Sequence, residues 1–192
     1  KTLQYSQDVD ASSMLVDGRL ISAVEPGLVY ALDAHRMQRS GENTAPAVLE
    51  TSPLLFTTAD ASAHPDIGGA NVAIEGSPAL LGTRIYVASG SGHVYGLDRK
   101  TLAITWDYAV GGDFDSTVAV TRSGKLLVGM EREYVTGHGG TFMLDPSKPP
   151  ADALVWFFPT LDRGIAEWEG GVVGSVAVND ESDPESTRPP LA

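Results

Sequence analysis

SGSGHVYGLDRKTLAITWDY, residues 89–108, holds two apolar strands around a small polar turn, and the second strand closes on Trp106. A single hairpin of this kind leaves its apolar face open to water. A repeated one buries that face by stacking on its neighbours, so the fold turns on whether the pattern recurs.

It recurs. GLVYALD (27–33), GHVYGLD (92–98) and GTFMLDP (140–146) each begin with Gly, run through apolar residues and reach Leu-Asp. Each follows another apolar strand across a turn: GRLISAV (18–24), TRIYVAS (83–89) and GKLLVGM (124–130). A further strand opens each unit, in SSMLVDG (12–18), GSPALLGT (76–83), DSTVAVTRSG (115–124) and GSVAVND (174–180). Asp98 and Asp145 are 47 residues apart, which fits one four-stranded propeller blade, whose usual period is about 40–45 residues. Asp33 and Asp98 are further apart, which fits a blade carrying an insertion. RSGENTAP (39–46) and TTADASAHPDIGGAN (57–71) are rich in turn formers and read as loops, with VLETSPLLFT (48–57) supplying an outer strand between them.

The expected fold is therefore all-β: a partial β-propeller of about three four-stranded antiparallel blades plus the start of a fourth, completed by further sequence or another chain. The units run 10–75 (a blade with insertion), 76–114 (a blade), 115–173 (a blade with a long loop) and 174–192 (a blade start and a Pro-rich tail). Closure of a propeller ring hides its terminal sheet edges, and three blades with a fraction leave two faces open.

Composition narrows the partners. Among 192 residues, 25 acidic against 13 basic side chains give a net charge of −12, which disfavours phosphate backbones and anionic lipid. Cysteine is absent, excluding disulfides, thiolate metal sites and Cys nucleophiles. No apolar run of about 18 residues is present for a spanning helix. The sequence begins at Lys1, which is expected of a processed chain or a piece of a longer one.

VYGLDRKTLAITWDY (94–108) resembles the repeat of the PQQ-binding-like β-propellers, the quinoprotein alcohol dehydrogenase-like superfamily. The third unit, MLDPSKPPADALVWFF (143–158), is similar, and the first is a partial match because no Trp follows Asp33. The resemblance covers roughly residues 10–180. It implies a propeller and leaves the activity open between a binding module and a dehydrogenase.

Asp33, Asp98 and Asp145 end strands where turns begin, and an Asp there accepts N–H bonds from residues two or three positions on. The competing reading, a shared cation, needs these carboxylates close together, and equivalent positions in successive blades are far apart. Trp106 and Trp156 fill similar places in their units, suited to packing between blades with the indole N–H donating. The family alternative is a floor stacked against a quinone.

Partner-binding candidates lie where the repeat is interrupted. MEREYVTGHGGTF (130–142) is a long polar connection carrying Glu131, Arg132, Glu133 and His138. Trp168 and Glu169 sit in a crossover beside Gly170-Gly171. Glu131, Glu133 and His138 together have the donors for a cation, but their spacing matches no established metal motif, and a solvated loop is the expected reading. Asp113 and Asp115 in GGDFDST lack the Gly turn and late Glu of an EF-hand loop. The four His residues (35, 64, 93, 138) are scattered, and no nucleophile elbow, zinc-protease helix or phosphate loop is present.

The leading expectation is a non-catalytic scaffold that binds a protein partner or the rest of its own propeller, with no cofactor, no nucleic acid and no membrane insertion, in the periplasm or outside the cell. Two alternatives stand beside it. One is a portion of a dehydrogenase using pyrroloquinoline quinone and calcium, although the absence of Cys removes the vicinal disulfide many such enzymes carry. The other is a sensor or an outer-membrane-assembly propeller.

Overall fold

Three turns in a row set the architecture of each repeat unit. In the second unit Gly82 and Gly92 adopt φ of 60° and 86°, which L side chains rarely tolerate, so the chain reverses tightly on both sides of the same strand. The computed structural model describes residues 9–56, 73–132, 137–160 and 170–178. Among these it is all-β, built of three four-stranded antiparallel sheets, each formed by consecutive strands.

The first blade comprises β1 (Met14–Val16), β2 (Arg19–Val24), β3 (Leu28–Ser40) and β4 (Asn43–Thr51). The second comprises β5 (Ala79–Leu81), β6 (Arg84–Ser89), β7 (His93–Asp98) and β8 (Ile104–Ala109). The third comprises β9 (Ala119–Val120), β10 (Leu126–Met130), β11 (Gly140–Leu144) and β12 (Leu154–Pro159). This is a partial β-propeller, as the repeats require. The insertion differs from expectation in one respect. Residues 39–46 are not a loop but the tip of a hairpin, Ser40 pairing Asn43 around Gly41 at φ 61°, so β3 and β4 run on beyond the blade.

Register shows that the units superpose strand for strand. Trp106 lies opposite Gly96 and Trp156 opposite Met143, each two residues before the repeat Asp and each followed by a bulge. In the first blade Glu50 holds that place, opposite Ala31. Alternation then gives every blade two faces. Ile21, Ala23, Val29 and Ala31 point forward from the first blade and pack on Ile85, Val87, Tyr95 and Leu97 of the second. Tyr86, Ala88, Val94 and Trp106 point forward from the second and pack on Leu126, Val128, Phe142 and Leu144 of the third. The core is thus two inter-blade layers.

Three kinds of polar lock join successive blades. Along the inner strands, Ser12 N–H donates to Ser77 Oγ at 2.9 Å, Ser77 N–H to Thr117 Oγ1 at 2.9 Å, and Thr117 N–H to Ser175 Oγ at 3.0 Å. At the opposite end of the sheets, Arg19 Nη1 donates to the carbonyls of Arg99 and Lys100, and Arg84 Nη1 to that of Pro146. On the outer strand, Trp106 Nε1 donates to Lys148 carbonyl at 3.0 Å, its ring 5% exposed. These locks point from one blade to the next, while Arg99 Nη2 reaches back from the second blade to Asp17 Oδ2 of the first at 3.5 Å. Ser175 belongs to the expected opening strand at 174–180; residues 174–178 pair in no ladder, yet Ser175 stands in the line.

The receiving carbonyls sit in turns shaped by the repeat Asp. Asp33 Oδ1 accepts from His35 and Arg36 N–H, Asp98 Oδ1 from Lys100 and Thr101 N–H, and Asp145 Oδ1 from Ser147 N–H and Oγ. In the third blade Lys125 occupies the place of Arg19 and Arg84, and its ammonium folds back on Asp145 Oδ2 at 2.7 Å. These bonds hold the Asp98 carboxyl below its usual range. That of Asp145 is lowered to about 2, first by Lys125 and then by Ser147.

Candidate functional site

Two residues before three of the four inner-strand hydroxyls stands an acid: Asp10 before Ser12, Glu75 before Ser77, Asp115 before Thr117. Because the three hydroxyl positions are linked blade to blade, their carboxylates gather at one end of the sheets, near the line along which the inner strands meet. Glu25, just past β2, and Glu131, just past β10, come to the same end. The charges are felt by Glu75, whose carboxyl is raised to about 7, first by burial and then by Asp115, Glu25 and Asp10.

Beside Glu75 the acids converge. Carboxylate oxygens of Asp113, Asp115 and Glu131 all lie within 4.8 Å of one another. Asp113 is 1% exposed and Glu131 5%. Local structure fixes both sides. Glu131 N–H donates to Asp113 carbonyl at 2.8 Å, and Glu131 bridges Gly171 across the segment leading to Ser175. Ser116 Oγ accepts from Gly129 N–H at 2.7 Å, tying the Asp115 strand to β10, while the Phe114 ring is buried against Phe142 at 5.9 Å. Asp115 Oδ1 is buried with no hydrogen-bond partner among the described residues. Three hard oxygen donors at this separation suit a divalent cation of the calcium type, which takes carboxylate and carbonyl oxygens at about 2.3–2.6 Å.

The candidate residues from the sequence are dispersed. Glu131 is not in a solvated loop: it follows directly on β10 and is buried, its backbone held by Asp113 and Gly171. Its neighbours in the site are Asp113 and Asp115, whereas His138 is exposed. Arg132 is half-buried, its N–H on Gly170 carbonyl at 2.9 Å. Glu133, Trp168 and Glu169 lie outside the described residues. Asp33, Asp98 and Asp145 are each in a separate turn, and Trp106 and Trp156 are on outer strands, away from the acidic end. Asp10, Glu25 and Glu75 were not singled out. The signal for Asp10, Glu75 and Asp115 was the acid-x-Ser/Thr triplet opening the first three units, hidden when the units are aligned on Leu-Asp.

The residues present fit a cation better than a quinone. Asp113, Asp115 and Glu131 would hold the metal. A fused planar cofactor needs an aromatic platform beside it, and among the described residues Trp106 is sealed between two blades while Trp156 lies on the outer strand of the third.

No family model matches the sequence. No curated protein matches it either. Solved structures do. BamB from Moraxella catarrhalis is similar over 90% of this chain and 45% of that one, at 20% identity and a TM-score of 0.58. Quinohemoprotein alcohol dehydrogenase from Comamonas testosteroni is similar over 82% of this chain and 22% of that one, at 18% identity and a TM-score of 0.57. A europium-containing methanol dehydrogenase is similar over 77% and 24%, at 19% identity and a TM-score of 0.54. This chain therefore spans less than half the length of BamB and about a quarter of either dehydrogenase. What the three share with it is the fold, a β-propeller built of blades of this kind.

Proposed function

We propose that this chain is a segment of a larger β-propeller that works outside the cytoplasm by binding protein and catalyses no reaction. One observation carries the reading: the outermost blades keep apolar faces in the same register as the faces buried between blades. Phe158 is 66% exposed on the third blade and Leu15 67% on the first. Apolar faces of this kind are made to be covered. The likeness in fold to BamB and to much longer propeller enzymes supports the reading as a segment. A partner at the interrupted connections would meet His138 and Arg132. The test is a native mass measurement on the protein purified from its source. An assembly larger than the 20.2 kDa chain is expected, and a lone monomer would overturn the reading.

The carboxylate trio favours a second reading, part of a calcium- and quinone-dependent dehydrogenase. Adding Ca²⁺ and pyrroloquinoline quinone separates the two. A quinone absorbance shift with alcohol-dependent dye reduction supports the enzyme, and neither is expected of the binding module. A Ca²⁺-dependent thermal shift lost in Asp113→Asn and Glu131→Gln, without any quinone response, leaves a cation-stabilised scaffold.

A further inference from the structure

The two inter-blade joints are alike in register and unlike in charge. Val16 pairs Arg19 across the first turn of one blade and Leu81 pairs Arg84 across that of the next, so Asp17 and Gly82 hold one position. Arg99 and Pro146 hold another. Each follows a repeat Asp, and each gives its carbonyl to the arginine of the preceding blade. In the first joint these two positions meet, with Arg99 Nη2 3.5 Å from Asp17 Oδ2. In the second joint neither position carries a charged side chain. A cleft of about 380 Å³ lies there, with Gly82, Arg84 and Tyr86 on one side and Lys125, Pro146 and Ser147 on the other. Its charges are unbalanced. Lys125 Nζ has three donors, and one is bonded to Asp145 Oδ2 at 2.7 Å. Arg84 bonds Thr105 Oγ1 through Nε and Pro146 carbonyl through Nη1, and its Nη2 has no hydrogen-bond partner among the described residues. Two cations thus face the single carboxylate of Asp145, and the second joint lacks the acid that Asp17 brings to the first.

We propose that this cleft binds a carboxylate, whose oxygens accept from Arg84 Nη2 and Lys125 Nζ and take the part that Asp17 plays in the first joint. A guanidinium and an ammonium lining one cleft suit a planar oxygen pair of single charge. A phosphate dianion exceeds the one unbalanced charge, in a chain whose net charge is already −12. The volume falls within that of small-molecule sites, about 300–1,000 Å³. Buried Tyr86 and half-buried Leu81 offer an apolar wall to the body of the ligand. A free carboxylic acid and an Asp or Glu side chain on a partner share this chemistry. The cleft lies at the start of β6 and β10, the opposite end of the sheets from the acidic trio, and it does not depend on the protein-binding reading.

Saturation-transfer difference NMR on the 192-residue chain, with acetate as the probe, tests the site. Acetate is expected to bind saturably in the millimolar range, and phosphate at matched ionic strength should displace it only weakly. Lys125→Ala should weaken binding about tenfold, the loss of one charge-assisted hydrogen bond. Gly82→Asp supplies the missing carboxylate from within the chain and should abolish acetate binding, with far-UV circular dichroism unchanged. The backbone accepts this change: Asp17 adopts φ 52° where Gly82 adopts 60°, and a Cβ on Gly82 would meet nothing within 4 Å. Aspartate blocked as its N-acetyl N-methylamide separates the two sources. Tighter binding than acetate assigns the cleft to a partner's acidic side chain, and weaker binding assigns it to a free acid. An acetate response that does not saturate, that persists undiminished in Gly82→Asp, or that is weaker than the response to phosphate overturns the proposal.

Discussion

The second and third blades present the same forward face, one sealed and one open. Trp106 and Trp156 occupy one register position, each followed by a bulge. Against the second blade lies another sheet. Trp106 is buried there, its indole N–H bonded to Lys148 carbonyl, and its ring meets Tyr86 edge-on at 5.9 Å. On the third blade Trp156 is half-buried and Phe158 projects into solvent. Lys125 shows the same contrast: Arg84 reaches across to Pro146, while Lys125 turns back to Asp145 of its own blade. A repeat position fixes what a side chain offers, and the neighbour decides what that offer stabilises.

The sharpest way to break this comparison is to remove both tryptophans in turn. Trp106→Ala should cost about 3–5 kcal/mol in urea unfolding, the usual range for a sealed aromatic. Trp156→Ala in the monomeric chain should cost about 1 kcal/mol or less, in keeping with a half-exposed position. Equal losses would mean that the third blade's face is covered after all. Gly76→Ala comes next. A Cβ there would lie 2.3 Å from the Ser116 carbonyl oxygen of the next blade, and overpacking of this kind costs about 1–3 kcal/mol. Gly174 opens the following unit and would meet nothing within 4 Å, so Gly174→Ala should leave the urea midpoint unchanged.

Arg84→Ala should be milder, about 0.5–1.5 kcal/mol for the lost bonds to Pro146 and Thr105. Lys125→Ala should leave inter-blade joining untouched and let the Asp145 carboxyl rise. A further prediction concerns pH. The Glu75 carboxyl is raised from 4.5 to about 7 in the folded chain, so its stabilising contribution is whole below pH 4.5 and is lost as pH rises through 7. Melting temperature should fall between pH 5 and 8 in the wild type and fall less in Glu75→Gln, with the two alike at pH 5. Asp145 acts in the opposite sense and lower down. With its carboxyl lowered from 3.8 to about 2, its contribution is whole above 3.8 and is lost as pH falls towards 2.

The fold was legible because its signal is dense. Leu97-Asp98 and Leu144-Asp145 recur with apolar alternation on both sides, and three such units imply three sheets. The extended hairpin around Gly41 was hidden because turn formers such as Ser40, Gly41 and Asn43 mark a two-residue reversal and a loop alike. The acidic site was not legible as a unit. Asp113 and Asp115 belong to the approach to an inner strand and Glu131 to the far end of the strand beside it, so pairing alone brings them together. The sequence sets Glu131 in one polar connection with Glu133 and His138, which reads as a solvated loop, and of these His138 is exposed and Glu131 buried.

The line of amide-to-hydroxyl bonds from Ser12 through Ser77 and Thr117 to Ser175 has a consequence for how such a chain evolves. Each link uses one backbone N–H and one short side chain, and each leaves the same pair of groups at its two ends. Duplicating a blade in the gene would therefore insert a unit that fits its neighbours without any compensating change, and deleting one would rejoin compatible ends. The chemistry of the joint does not count blades. Only the curvature accumulated around the axis sets their number.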